Sequence, residues 1–142
     1  CRFSVVIPNM WNTVQLPTSE NSCELKIKND STKAEIQVSL ANEFLYEAYD
    51  LGFDFFNGEW IATGRQGSYE KAEVVQVGVW AGLKGVIYSG CHDKKGFQGL
   101  CPHFSMLLRE REVVDGTNIK ITALNVSDED IMKFVSLIEP VF

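Results

Sequence analysis

Two cysteines and two histidines lie close together in the segment from Cys91 to His103, and these residue types can do several kinds of chemistry. Two thiolates and two imidazoles suit a tetrahedral zinc ion. The thiols of Cys91 and Cys101 can instead form a disulfide, which persists in an oxidising compartment. The spacing favours the disulfide, because Cys91 and His92 are adjacent and adjacent side chains of a strand point to opposite faces. We therefore expect Cys91 and Cys101 to close the neck of a hairpin, and we expect no metal or cofactor.

The same segment contains the residue types of a thiol hydrolase, in the run Ser89-Gly90-Cys91-His92-Asp93, and His103 faces it across the predicted hairpin. Catalytic groups usually come from distant parts of a chain, and neighbours in a loop seldom reach hydrogen-bonding geometry. Cys101 also lies close enough to oxidise with Cys91 in an exported protein. We predict a protein that is not an enzyme. The alternative is a metal-dependent or thiol enzyme that uses Cys91, His92, Cys101 and His103.

The composition indicates one globular domain that spans residues 1–142. Hydrophobic residues make up 45% of the chain and aromatic residues 11%, which is enough for a full core. A total of 13 Lys and Arg against 19 Asp and Glu gives a net charge of -6, which repels nucleic acid and anionic lipid. No apolar stretch approaches the roughly 20 residues of a membrane span. We therefore expect a protein partner, and a basic one would complement this charge.

Four cysteines leave Cys1 and Cys23 for a second bridge if Cys91 pairs with Cys101. Two disulfides favour a periplasmic or secreted protein. Cys is also the first residue of a mature bacterial lipoprotein, so a lipid anchor on Cys1 is the competing expectation. Cys23 would then remain as a buried thiol. Both versions predict an exported protein.

Apolar spacing predicts two helices. Four apolar residues between Leu40 and Leu51 fall on one helical stripe, and Ser39 and Gly52 suit the two ends of a central helix. A second helix follows Ser127, because this capping residue and the acids after it precede apolar residues at helical spacing that run to Ile138. Pro140 would end this helix.

The remaining apolar runs alternate with polar residues and predict antiparallel strands. They form an N-terminal hairpin of Phe3–Ile7 and Thr13–Leu16, a hairpin around the turn from Asn29 to Thr32, and a glycine-rich meander from Glu59 to Leu124.

Together these elements predict an α+β fold, in which a central helix and a C-terminal helix pack on an antiparallel sheet. This order of elements resembles the PsbP and Mog1 type of small domain over most of the chain. Those domains mostly bind other proteins or serve as accessory factors, so the resemblance implies a binding role by analogy.

Aromatic residues at hairpin tips are the candidates for contact with a partner, because such anchors dominate binding energy. Trp11 follows Pro8-Asn9-Met10 at the tip of the predicted N-terminal hairpin. Phe97 lies in the loop between Cys91 and Cys101, where a disulfide would lower the entropy lost on binding. The predicted partner-binding residues are Phe97, Lys94, Lys95, Gln98 and Trp11.

The sequence therefore predicts an exported protein-binding domain, either a bacterial periplasmic inhibitor of the immunity-protein kind or an accessory lipoprotein of the envelope. A carrier of a small ligand is a further alternative. Its cavity would lie between helix and sheet, with the aromatic-rich segment from Phe44 to Phe56 as a wall.

Overall fold

The computed structural model of the protein is dominated by antiparallel β-strands. It describes residues 1–17, 23–42, 48–49, 51–63, 69–93 and 95–141. For residues 63, 69, 70, 87–93, 98 and 100–102 it describes the backbone alone. In chain order the elements are β1 (Phe3–Val5), β2 (Asn12–Gln15), β3 (Leu25–Asn29), β4 (Ala34–Ala41), β5 (Phe53–Phe56), β6 (Glu59–Thr63), β7 (Tyr69–Lys71), β8 (Glu73–Val77), β9 (Trp80–Asp93), β10 (Gly96–Glu110), β11 (Asn118–Leu124), α1 (Asp128–Ser136) and β12 (Ile138–Pro140).

The strands form three sheets. The main sheet has seven strands in the order β2-β3-β4-β11-β10-β9-β8, and every neighbouring pair is antiparallel. A three-stranded sheet has the order β5-β6-β7, and β1 pairs with β12 in a two-stranded ribbon. The hairpin of β3 and β4 turns where it was predicted, and the side chain of Asn29 accepts hydrogen bonds there from the backbone N–H groups of Ser31 and Thr32.

Helix α1 covers one face of the main sheet. Its side chains Ile131, Phe134 and Val135 are buried in the larger core cluster, together with inward residues of β3, β4, β10 and β11. The helix begins as predicted, because the Ser127 hydroxyl accepts a hydrogen bond from the Asp130 N–H at 3.1 Å. Trp80 is fully buried in the same cluster, and its indole N–H donates to the Ile138 carbonyl at 2.9 Å. This bond fastens the β1–β12 ribbon to the sheet.

The three-stranded sheet covers part of the opposite face. Phe53 and Ala62 are paired on β5 and β6 and pack with Leu83 and Leu107 in a second core cluster. The sheets approach closely at Gly85, where an added Cβ would lie 2.6 Å from the Ala62 Cβ. Any larger residue at Gly85 would force the two sheets apart.

The predicted α+β class is wrong, and so is the predicted N-terminal hairpin. β1 pairs with β12 at the far end of the chain, whereas β2 pairs with β3. The turn from Pro8 to Asn12 carries the same local signal whether the flanking strands pair with each other or with distant strands. When β1 pairs with β12, the side chain of Phe3 is buried in the larger core cluster. This burial depends on contacts between distant parts of the chain, so the local sequence does not predict it.

The predicted central helix is also wrong at its start, whereas near its predicted end Ala48 and Tyr49 are helical and the Gly52 N–H donates to the Tyr49 carbonyl at 3.1 Å. Residues from Ser39 to Ala41 continue β4, whose pairing with β11 extends to Ala41, and Gly52 lies in a turn before β5. Residues 43–47 and 50 of that prediction lie outside the described residues. Phe53, a predicted wall of a ligand cavity, is buried between the two sheets. The C-terminal helix is confirmed but ends at Ser136, because Ile138 enters β12.

Candidate functional site

The longest hairpin of the protein extends beyond the main sheet. On one side of β10, the pairing with β11 covers Arg109 to His103. β11 ends at Leu124, which pairs with His103. The β9–β10 ladder continues past this row to the pair of Gly96 with Asp93. At a rise of about 3.4 Å per residue, the extension is roughly 20 Å long. We call this extension, residues 88–93 and 95–102, the arm.

The arm replaces the loop that the sequence predicted between Cys91 and Cys101. It contains a β-bulge, because His92 pairs with Phe97 and Gly90 with Leu100, so that two residues of β10 oppose Cys91. Gly99, one of those two, has φ +103°, which side chains other than glycine rarely adopt. Bulges bend and twist a strand pair, so this one sets the direction in which the tip of the arm points.

Phe97 lies beside the tip of the arm and is 63% exposed. Lys95 next to it is exposed as well. Lys94 lies outside the described residues, and for Gln98 the backbone alone is described. The arm thus presents the central residue of the predicted binding set to solvent, at the end of a two-stranded ribbon.

Trp11 is placed apart from the arm. Its side chain is half-buried and packs against the larger core cluster. It precedes β2, which is four strand positions from β10, or about 19 Å. The structure therefore does not bring Trp11 and Phe97 together on one surface.

The four cysteines lie in two separate parts of the fold. Cys1 and Cys23 form a disulfide, with their Cα atoms 5.3 Å apart. In the arm, Cys101 pairs with Ser89 in the β-ladder and Cys91 lies opposite the bulge. The side chains of Cys91, His92 and Cys101 lie outside the described residues, so the Cys91–Cys101 disulfide and the alternative metal or thiol site stay predictions. Among the side chains that are described, no group of three His, Cys, Asp or Glu residues could hold a metal ion.

His103 lies at the base of the arm rather than within it. It shares a cross-strand row with Leu124 and Glu35, and it lines a shallow cleft of 180 Å³. Burial lowers the pKa of His103 below its ordinary value of 6.5, and the charge of Glu35 opposes that shift only in part. His103 is therefore neutral at pH 7. Lys26, Gln37 and Thr122 complete the polar lining of the cleft.

Lys84 forms a charged cluster that sequence reasoning missed. Its side chain is buried, and its ammonium bonds the Glu73 carboxylate at 2.9 Å and the Asp128 carboxylate. Burial alone would lower the pKa of Lys84, but the hydrogen bonds and charges of Asp128 and Glu73 outweigh it and raise the pKa above 10.5. The cluster joins the first turn of α1 to β8 and β9. Its partners are 11 and 44 residues away in sequence, so no local pattern signals it.

A second exposed surface lies at the end of the three-stranded sheet. Phe55 and Trp60 are cross-strand partners, with ring centroids 5.4 Å apart in an edge-to-face arrangement. The ring of Tyr49 is 6.2 Å from that of Trp60. Trp60 also lines an open groove of 560 Å³ on the main sheet, beside Val74, Ala81 and Leu83 of β8 and β9. The sequence signal for this cluster was the density of aromatic residues between Tyr49 and Trp60.

Within the described ranges, no helix combines the length and the apolar character needed to cross a bilayer. Comparisons of the chain with protein-family models, with curated proteins and with solved structures find no match. The function proposed below therefore rests on the fold and on the exposed surfaces.

Proposed function

We propose that the protein is an exported protein-binding domain and that the arm is its contact element. The observation that supports this role most directly is the extension of β9 and β10 beyond their neighbours, with Phe97 exposed beside the tip. A projecting two-stranded ribbon can enter a cleft of a partner, and an aromatic ring at its end supplies apolar area at little cost in side-chain entropy.

The partner is a protein with a concave site, such as the active-site cleft of an enzyme that this domain inhibits. Long-range attraction comes from the net charge of -6, which favours a basic partner. Lys95 is exposed near the tip of the arm and suits contact with an acidic group within the bound cleft. An inhibitor of the immunity-protein kind fits these features.

The Cys1–Cys23 disulfide supports an oxidising compartment, the periplasm or the extracellular space. It also uses the sulfur atom that a lipoprotein would attach to lipid. Lipid on Cys1 and the Cys1–Cys23 disulfide are therefore mutually exclusive.

Capture of partners from an envelope extract tests the role of the arm. The immobilised wild-type protein is compared with Phe97→Ala and Lys95→Ala. Phe56→Ala is the matched control, because Phe56 is 62% exposed on β5, outside the arm, and Phe97 is 63% exposed. We expect Phe97→Ala to weaken capture at least tenfold, which is about 1.4 kcal/mol, and Phe56→Ala to leave it unchanged. Equal capture by the wild type and Phe97→Ala contradicts the proposal.

Metal analysis and thiol counting test the alternative of a metal-dependent or thiol enzyme. Protein purified without added metal is examined for zinc, and its thiols are counted after denaturation without reductant. We expect neither zinc nor free thiols. Stoichiometric zinc with free Cys91 and Cys101 would replace the binding proposal by the metal site.

A further inference from the structure

The two outermost strands of the main sheet, β2 and β8, differ in how they are protected. An edge strand carries a row of backbone groups that can pair with another chain, and proteins usually block such pairing with Pro, Lys or a bulge. β2 has a break in register between Thr13 and Gln15. β8 pairs with β9 in unbroken register along its whole length, from Glu73 to Val77.

The sequence of β8, Glu-Val-Val-Gln-Val, contains neither Pro nor Lys. Its one charged residue is Glu73, at the first position, and that carboxylate is already bound to Lys84. Val74 is 78% exposed. Among the described residues no further strand pairs with the outer side of β8. Regular pairing, high strand propensity and an exposed apolar side chain make this edge suitable for a further strand.

The strand is complementary to a second copy of itself. In an antiparallel pair centred on Val75, the Val75 residues of the two copies face each other, and Val74 faces Gln76 of the second copy. Glu73 then faces Val77 of the second copy. The two Glu73 residues lie four positions apart, about 14 Å along the strand pair, which exceeds the Debye length of about 8 Å in physiological salt. Within the two paired β8 strands themselves, no like charges face each other.

Pairing at this edge would also cover apolar surface. Val74 lines the 560 Å³ groove with Trp60, Ala81 and Leu83. Side chains alternate between the faces of a strand, so Val74 and Gln76 of an added strand would lie on the face that carries this groove. The contact therefore combines backbone hydrogen bonds with burial of Val74 beside Trp60.

We propose that β8 is a dimerisation edge, through which two copies of the chain pair antiparallel around Val75 and join their main sheets into one. The interface is a two-fold contact, in which both copies use the same residues. It is a short contact of five residues from each copy. The dimer therefore forms in a concentration-dependent manner.

Sedimentation equilibrium of the full chain across a wide concentration range tests this proposal. We expect the wild type to approach the dimer mass as concentration rises, and Val74→Lys to weaken association at least tenfold. The matched control is Val14→Lys on β2, because Val14 is an exposed valine on the other edge, 53% accessible. We expect this control to dimerise as the wild type does. Circular dichroism verifies that both variants fold.

Hydrogen exchange gives an independent readout. Amide protection at residues 73–77 should rise with protein concentration, whereas protection at residues 12–15 should not. A protein that stays monomeric at every concentration, or a dimer lost in Val14→Lys and kept in Val74→Lys, overturns the proposal. Phe97→Ala should dimerise as the wild type does. The experiments therefore test partner binding by the arm and dimerisation through β8 separately.

Discussion

Lys84 illustrates how much a single residue depends on its surroundings in this fold. Its ammonium is buried, whereas the carboxylates of Glu73 and Asp128 that bind it are exposed. Removal of the lysine leaves two carboxylates that water can solvate. Removal of the carboxylates leaves a buried charge without compensation.

This asymmetry gives a prediction for stability. Lys84→Met should change the free energy of unfolding by less than about 1 kcal/mol, whereas the double variant Glu73→Gln with Asp128→Asn should lose about 3 kcal/mol. Urea denaturation of both variants at pH 7 measures the two effects. A greater loss of unfolding free energy in Lys84→Met than in the double variant would contradict the role of the buried ammonium.

His103 gives a prediction for pH dependence. Because burial lowers its pKa in the folded protein, the unfolded chain binds more protons as the pH falls through 6.5. The stability contribution of His103 is thus present above pH 6.5 and is lost below it. The free energy of unfolding should fall more between pH 7.5 and pH 5.5 in the wild type than in His103→Gln. An equal fall in the free energy of unfolding in the two proteins would show that His103 does not contribute to this pH dependence.

At the scale of elements, long-range bonds hold the peripheral strands to the main sheet. β1 and β12 lie at opposite ends of the sequence and pair with each other. Their link to the main sheet includes the bond from the Trp80 indole N–H to the Ile138 carbonyl, both of which are buried.

Trp80→Phe should therefore destabilise the protein by about 2 kcal/mol, because it leaves a buried carbonyl without its donor and a small cavity beside it. The control is Trp60→Phe, since Trp60 is half-buried and its indole N–H has no hydrogen bond to a described residue that matches the Trp80 bond. In thermal unfolding, the melting temperature of Trp80→Phe should lie well below that of Trp60→Phe. The same melting temperature for both would contradict the role of the bond.

At the scale of the whole molecule, the Cys1–Cys23 disulfide closes a loop between the start of the chain and the segment before β3. Cross-links of this span typically stabilise a protein by about 3 kcal/mol through the unfolded state. Replacement of both cysteines by Ser should lower stability by about that amount.

Mass spectrometry after digestion without reductant tests the pairing of all four cysteines. We expect one linked peptide pair that contains Cys1 and Cys23, and a second that contains Cys91 and Cys101. Lipid on Cys1 would appear as a mass increase on the first peptide and would exclude its disulfide. That result would favour the accessory lipoprotein over the free inhibitor.

The sequence by itself determined the elements whose signals are local. The turn at Asn29 and the cap at Ser127 appear as predicted, because their stabilising bonds join residues two or three positions apart. The meander is confirmed from β8 to β11, where consecutive strands pair with each other, but its predicted first strand, β6, belongs to the three-stranded sheet. The exposure of Phe97 was also predictable, because it is a lone aromatic residue between polar neighbours beside a turn.

Only the tertiary structure decided the features that join distant parts of the chain. The strand from Ser39 to Ala41 carries helical spacing, but pairing with β11 satisfies its backbone and overrides that propensity. Likewise, β1 pairs with β12, and Lys84 forms ion pairs with Glu73 and Asp128. These contacts join residues too far apart in sequence for a local pattern to predict. The arm and the open edge of β8 follow from where neighbouring strands end, which is a property of the assembled sheet and not of any one strand.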